Sequence, residues 1–291
     1  MKLGVKRFWV QAAAAIAQNA WFPGFARGEV FKGKSKYLCV PGLNCYSCPG
    51  ALGSCPIGAL QAVIASPKYG FGWYVAGLLA LFGLVAGRWI CGWLCPFGWL
   101  QELLHRIPGK KLHVPGKLQW LKYVKYAMLV FLVLLLPALA VNYAGQGDPW
   151  FCKYFCPAGT VEGALPLMAA NASLRDAAGL LFDWKLIVAV AIVAMSVFVY
   201  RFFCRFFCPL GAIYGLFNKL ALYRMKADER RCTRCGRCAA ACKMGVEPCA
   251  EPNSPECIRC GCCREACPHG ALCMTFSVGE GKRKDTGHEA T

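Results

Sequence analysis

The sequence predicts an all-α membrane bundle, with about four transmembrane helices plus short re-entrant segments, followed by a small cysteine-rich C-terminal domain. Three observations carry that expectation. Of the 291 residues, 57% are hydrophobic and 16% charged, and the mean hydropathy is +0.40, too apolar for an ordinary soluble chain of this length. Uncharged apolar runs recur over residues 8–26, 69–87, 126–147 and 186–200. Between Cys232 and Cys267, eight cysteines stand in two copies of one spacing, C-x2-C-x2-C-x3-C.

In chain order, the first run follows Lys2, Lys6 and Arg7. It fits either a membrane helix or a secretory signal with a small-residue cleavage site. Trp9 and Trp21 bracket it as interface anchors do, which favours an uncleaved helix. Residues 27–68 are basic and Gly-rich and hold Cys39, Cys45, Cys48 and Cys55. Pro56 then opens an apolar run of about ten residues, too short to span and therefore re-entrant or interfacial. The run 69–87 reads as a membrane helix ended by Arg88 and leads into RWICGWLCPFG. The next span carries Pro137, which membrane helices tolerate. After it, Cys156-Pro157 opens another short apolar run. The last span, flanked by Lys185 and Arg201, ends in RFFCRFFCPLG. The domains are thus 1–225, membrane; 226–280, the eight-cysteine module; and 281–291, a charged tail expected to be disordered.

Basic loops orient the chain. Residues 88–125 carry seven Lys/Arg and one acid, whereas 148–185 carry three Lys/Arg and four acids. The former loop and the C-terminal module are therefore expected in the cytoplasm and the latter outside, in a multi-pass plasma-membrane protein. The five basic residues of 27–68, on the expected outer side, run against this assignment. The net charge of +18 flanks apolar spans, a pattern of membrane topology rather than of nucleic-acid binding.

In the module, three thiolates two residues apart wrap one face of a cubane, and the fourth crosses to the other cluster. This assigns Cys232, Cys235, Cys238 and Cys267 to one [4Fe–4S] centre, and Cys257, Cys260, Cys263 and Cys242 to a second. Zinc modules space their ligand pairs differently, and disulfide scaffolds belong to small secreted domains. The run resembles the bacterial two-cluster ferredoxins, which implies an α+β two-cluster bacterial ferredoxin-like domain. It departs from them where Lys243, rather than proline, follows Cys242.

Three Cys-x3-Cys-Pro motifs stand at span ends: Cys91/Cys95, Cys152/Cys156 and Cys204/Cys208. Cysteines four apart share one helix face, and two such pairs supply the four ligands of a cluster. The topology groups Cys91, Cys95, Cys204 and Cys208 at an inner membrane-face centre. An outer-face centre draws four ligands from Cys39, Cys45, Cys48, Cys55, Cys152 and Cys156, and spacing does not choose among them. Buried packing thiols, an outer disulfide, and copper or zinc held by thiolates are the competing readings. The cofactors expected are two [4Fe–4S] clusters and one or two further cysteine-bound iron–sulfur centres. A bare separation across ~30 Å of hydrocarbon is too long for one tunnelling step, so conduction needs a buried centre or a carrier such as a quinone.

RWICGWLCPFG, FCKYFCPAG and RFFCRFFCPLG joined to a two-cluster module resemble the membrane polyferredoxin family. It includes the quinol-oxidising membrane subunit of periplasmic nitrate reduction and the electron-supply protein of nitrous-oxide reduction. The resemblance implies one-electron transfer between a cytoplasmic donor or quinone pool and a membrane or extracytoplasmic acceptor, with redox proteins as partners and no nucleic acid. A copper or other metal reductase or maturation factor, and an iron–sulfur redox sensor, are the rival functions. Cys249, Cys262 and Cys273 complete no ligand set, His105 and His113 read as solvated loop residues, and His269 as a neighbour of the ligand Cys267. Arg234, Arg237, Arg259 and Arg264 would raise potentials if they lie close to the clusters.

Overall fold

The computed structural model describes residues 3–66, 72–112, 114, 116–142 and 146–277. His113, the start of the 69–87 run and the tail 281–291 lie outside them. The chain is mostly helical, and a two-stranded sheet closes its C-terminal module. The main helices are α1 (Leu3–Gln18), α2 (Pro56–Ile64), α3 (Trp73–Ala86), α4 (Trp89–Trp93), α5 (Pro96–Leu104), α6 (Leu118–Leu139), α7 (Leu180–Phe198), α8 (Phe202–Phe206) and α9 (Pro209–Phe217).

Two helices are long and apolar enough to cross a membrane. They are α6 with 22 residues and α7 with 19, and only 22% and 17% of their apolar windows are buried inside the protein. Phe131, Leu139, Ile187 and Val190 stand more than half exposed on them, the surface a lipid environment covers. The other two expected spans are shorter than a crossing needs: α1 has 16 residues and α3 has 14. Arg7 also stops α1 from being purely apolar, because its guanidinium is buried against Glu102 of α5 at 2.8 Å. The α1 helix starts against the C-terminal module, where the Leu3 amide donates to Glu265. It ends where the Gln18 carbonyl accepts from Leu52 at 3.0 Å.

Within α6, a π-helical stretch Leu129–Leu135 directly precedes Pro137. The extra residue in that turn accommodates a ring that has no N–H to donate and would clash one turn back.

The runs after the Cys-Pro motifs are short helices. Pro56, Pro96 and Pro209 each open one at its first turn, where a missing N–H costs nothing. The preceding cysteine is the N-cap, with extended backbone, and the sulfurs of Cys95 and Cys208 accept from Gly98 and Gly211 N–H at 3.4 Å. A thiol thus takes the capping position that a hydroxyl or carboxylate usually fills.

The C-terminal module pairs β1 (Tyr223–Ala227) antiparallel with β2 (Leu272–Phe276) and holds two short helices, α10 (Arg237–Ala240) and α11 (Cys262–Ala266). Its two cysteine runs are built alike. Arg234 and Arg259 both take φ 51°, and the glycines two residues on, Gly236 and Gly261, take φ 75° and 81°. The module is docked on the membrane part. Glu256 accepts from Arg88 at 2.9 Å and from Lys125, Asn218 donates to the carbonyls of Ser254 and Cys257 at 2.8 Å, and Arg259 donates to the carbonyls of Ala86 and Asn218 at 2.8 and 2.7 Å.

Candidate metal centres

All 21 cysteines are free thiols, so the disulfide reading of Cys152/Cys156 finds no bridge. Helices α4–α5 and α8–α9 carry the two R-x-x-C-x-x-x-C-P-x-G repeats and pack as a reciprocal pair. Arg88, from the first repeat, donates to the Cys204 carbonyl of the second at 2.9 Å, and Arg201, from the second, donates to the Cys91 carbonyl of the first. Both guanidinium groups are fully buried. Each is neutralised by a carboxylate: Glu256 for Arg88, and Glu102 for Arg201 at 2.7 Å. A Cβ on Gly98 would sit 3.1 Å from the Cys91 carbonyl and from Arg201. One on Gly211 would sit 3.1 Å from the Cys204 carbonyl and 3.3 Å from Arg88. Pro-x-Gly is therefore the sequence cost of this close approach. The result is four buried thiols, Cys91, Cys95, Cys204 and Cys208, in one interior.

A second set lies next to the first. Cys156 is within electrostatic reach of Cys152, Cys45 and Cys55, and Cys55 of Cys152 and Cys45. The glycines of the motifs again leave room for sulfur: a Cβ on Gly159 would meet Cys45 Sγ at 3.9 Å, and one on Gly58 would meet Cys152 Sγ at 3.8 Å. Cys48 points elsewhere and donates to Asn19 Oδ1 at 3.4 Å. Cys39 lines a separate cavity of about 350 Å³ with Tyr37, Tyr46 and Tyr74. Of the six candidates for the outer centre, Cys45, Cys55, Cys152 and Cys156 thus lie together, with Cys48 within reach of Cys45.

One pattern was legible in the sequence but passed over. Six residues after the Cys-Pro cysteine, CPIGALQ and CPFGWLQ each place a glutamine, Gln61 and Gln101. Gln101 Nε2 donates to Cys204 Sγ at 3.0 Å, while its Oε1 accepts from Phe203 N–H at 3.0 Å. Gln61 does the same to Cys152 Sγ at 3.2 Å and to Phe151 N–H at 3.0 Å. Each amide therefore ties a Cys-Pro helix to the opposing cysteine pair. At the same offset the other two motifs place Glu162 and Tyr214. Glu162 accepts from Cys45 N–H at 3.0 Å, and burial pushes its carboxyl up to about 7.

The two sets lie close to each other. Gly42 packs against Cys95, whose sulfur faces the Leu43 carbonyl at 3.9 Å, and Cys45 is two residues further on. Tyr214 stands between them, within reach of Cys91, Cys95 and Cys55. α2 contributes to this packing as a short helix with Ile57, Leu60 and Gln61 buried in the protein.

In the module, Cys242 lies with Cys257, Cys260, Cys262 and Cys263 around a small apolar cavity beside Met225, and Cys232, Cys235, Cys238 and Cys267 line another. One feature departs from expectation: Cys249 joins the second cavity with its sulfur 3.4 Å from Cys232 and 3.6 Å from Cys238. The Arg259 guanidinium is held on the Ala86 and Asn218 carbonyls at the domain junction and lies within electrostatic reach of Cys257. His105 is not a freely solvated residue: its ring packs 5.4 Å from Tyr200, and burial, with Lys111 and Lys243, lowers its basicity.

These surroundings fit cluster ligation. Burial pushes the thiols of Cys91 and Cys204 up, and that of Cys45 up to about 12. Four thiolates in one buried place need the positive charge of a metal centre to exist. Among the described residues no three His, Cys, Asp or Glu side chains converge on a single ion. A cubane asks for a wider arrangement, with one thiolate for each iron.

The 4Fe-4S binding domain model matches this chain at residues 69–115, 126–165 and 184–227, one Cys-x3-Cys-Pro pair in each segment. The chain is 30% identical over 176 residues to the methylamine utilization ferredoxin-type protein MauN of Methylorubrum extorquens, covering 57% of this chain and 52% of that one. It is 31% identical over 176 residues to the regulatory protein NosR of Pseudomonas aeruginosa, covering 55% of this chain and 21% of NosR. It is 26% identical over 180 residues to YccM of Escherichia coli, a protein named for a proposed role in electron transport, covering 57% and 44%. The chain spans about half the length of the curated relatives it matches. No solved structure matches it. The cysteine pairs, their Pro-x-Gly exits and these matches together make the chain similar to 4Fe–4S-binding, ferredoxin-type proteins.

Proposed function

We propose that this protein is a membrane electron carrier that holds four [4Fe–4S] centres in a row. Their ligands are Cys232, Cys235, Cys238 and Cys267; Cys242, Cys257, Cys260 and Cys263; Cys91, Cys95, Cys204 and Cys208; and Cys45, Cys55, Cys152 and Cys156. Bound cubanes supply reversible one-electron chemistry at potentials set by their surroundings. The single observation that carries the reading is the continuity of the thiol sets. Gly92, next to Cys91, packs so closely on the Ile258 carbonyl that a Cβ would collide with it, and Cys95 packs on the loop leading to Cys45.

The chain's own residues do three things here. They bury the thiols away from water, they supply the Gln61 and Gln101 amides and two capping N–H groups to sulfur, and they place paired arginines beside the Cys91 and Cys204 carbonyls. A cavity of about 860 Å³ opens at the junction of α1, α5 and the module. It is lined by Phe8, His105, Arg106, Tyr200 and Lys243, with Cys242 in its wall. Its size suits a quinone-sized carrier, so electrons are exchanged there with a quinone pool or a cytoplasmic donor. The module faces the cytoplasm and the Cys45 end faces the acceptor.

Iron and acid-labile sulfide per chain, measured after anaerobic purification in detergent, test this reading. About sixteen irons are expected for four cubanes. About eight would fill only the module and would leave the membrane thiols without clusters, defeating the carrier as described.

A further inference from the structure

The module cavity of about 520 Å³ is lined by the four assigned ligands Cys232, Cys235, Cys238 and Cys267 and also by Cys249. Cys249 is held in place by its own turn, in which Glu251 N–H donates to the Glu247 carbonyl at 2.8 Å. It packs with Cys238 against the Met225 and Leu272 core. Its sulfur touches two of the four assigned ligands, Cys232 at 3.4 Å and Cys238 at 3.6 Å. Cys235 is exposed at the cavity rim, and no contact joins it to Cys249.

We propose that Cys249 is a reserve ligand of this centre, able to replace Cys232 or Cys238 but not Cys235 or Cys267. This rests on the reading that these cysteines bind a cluster. Its chemistry is ligand exchange without redox change. The iron–sulfur bond to Cys232 or Cys238 breaks, one to Cys249 forms, and the proton of the Cys249 thiol passes to the departing thiolate. The distances favour it, since the incoming sulfur already lies in contact with the outgoing one. A carrier that meets oxidants at an exposed module gains from it, because losing one ligand thiol would otherwise strip an iron.

The test uses the full-length protein in detergent, with iron and sulfide per chain and low-temperature electron paramagnetic resonance of the oxidised form. Wild type and Cys249→Ala are expected to carry the same iron. Cys232→Ala and Cys238→Ala are expected to keep a four-iron centre. Cys235→Ala and Cys267→Ala are expected to lose iron and show the three-iron signal. Adding Cys249→Ala to Cys232→Ala or Cys238→Ala is expected to produce that signal too. Alkylation followed by peptide mass spectrometry gives a second readout: Cys249 is labelled in clustered wild type and protected in clustered Cys232→Ala. The inference is overturned if Cys232→Ala and Cys238→Ala both behave like Cys235→Ala, or if Cys249→Ala alone loses iron. Wild type without module iron would defeat the underlying cluster reading instead, a separate result.

Discussion

At the residue scale, Gln61 and Gln101 have the clearest consequences. Each amide N–H donates to a cysteine sulfur, and in the proposed centres a hydrogen bond to thiolate sulfur stabilises the reduced, more negative state more than the oxidised one. Gln101→Leu is expected to lower one midpoint potential by about 40 mV, the one-electron equivalent of ~1 kcal/mol. Gln61→Leu is expected to do the same to a different centre. Potentiometric titration followed by paramagnetic resonance reads both, and an unmoved potential in either variant removes the tuning role. Gly92 is a test of a different kind. Its hydrogen is all that separates it from the Ile258 carbonyl, so Gly92→Val is expected to push the module off the membrane part while leaving its own clusters intact. Limited proteolysis near residue 222, together with unchanged module spectra, would show it.

At the element scale, the decisive features are the two ion networks that clamp helix ends. Arg88 and Lys125 meet on Glu256, and Arg7 and Arg201 meet on Glu102 with Tyr200 donating at 2.8 Å. Removing one partner of a buried pair strands the others, so Glu256→Ala is expected to cost on the order of 3–5 kcal/mol. A lowered thermal midpoint in detergent checks this. The pH dependence has a definite sign. Burial works to raise the Glu256 carboxyl, but Arg88 and Lys125 outweigh it and hold it below its ordinary value. Its contribution is therefore complete above the unfolded carboxyl pKa of about 4.3 and is lost as pH falls through the lower folded value. Thermal midpoints of wild type are expected to drop in that acid window by more than those of Glu256→Gln.

At the scale of the whole molecule, the reciprocal packing of two repeats makes one protein out of pieces that read separately. Arg88 of one repeat holds the Cys204 carbonyl of the other, and Arg201 returns the contact to Cys91. A line of thiol sets then runs from the module into the membrane part. Orientation is the expectation that belongs to this scale. In sealed inside-out vesicles, protease is expected to remove the module, and in right-side-out vesicles to spare it. The reverse pattern would invert the donor and acceptor ends.

The sequence by itself determined the chemistry and the local structure. The doubled C-x2-C-x2-C-x3-C run, the Cys-Pro helix starts and the glycines two residues beyond each proline are local requirements of ligand spacing, first-turn geometry and close approach, so they can be read without a fold. It also showed the apolar runs that became α6 and α7. Only the tertiary structure decided which thiols meet. Cys45 lies with Cys55, Cys152 and Cys156, while the Cys48 thiol donates to Asn19. The second set abuts the first, because the loop at Gly42 and Leu43 packs on Cys95. Arg7 became a buried ion-pair partner instead of a flanking charge, since its partner Glu102 lies 95 residues away. Such pairings depend on contacts between distant segments, and no local spacing encodes them.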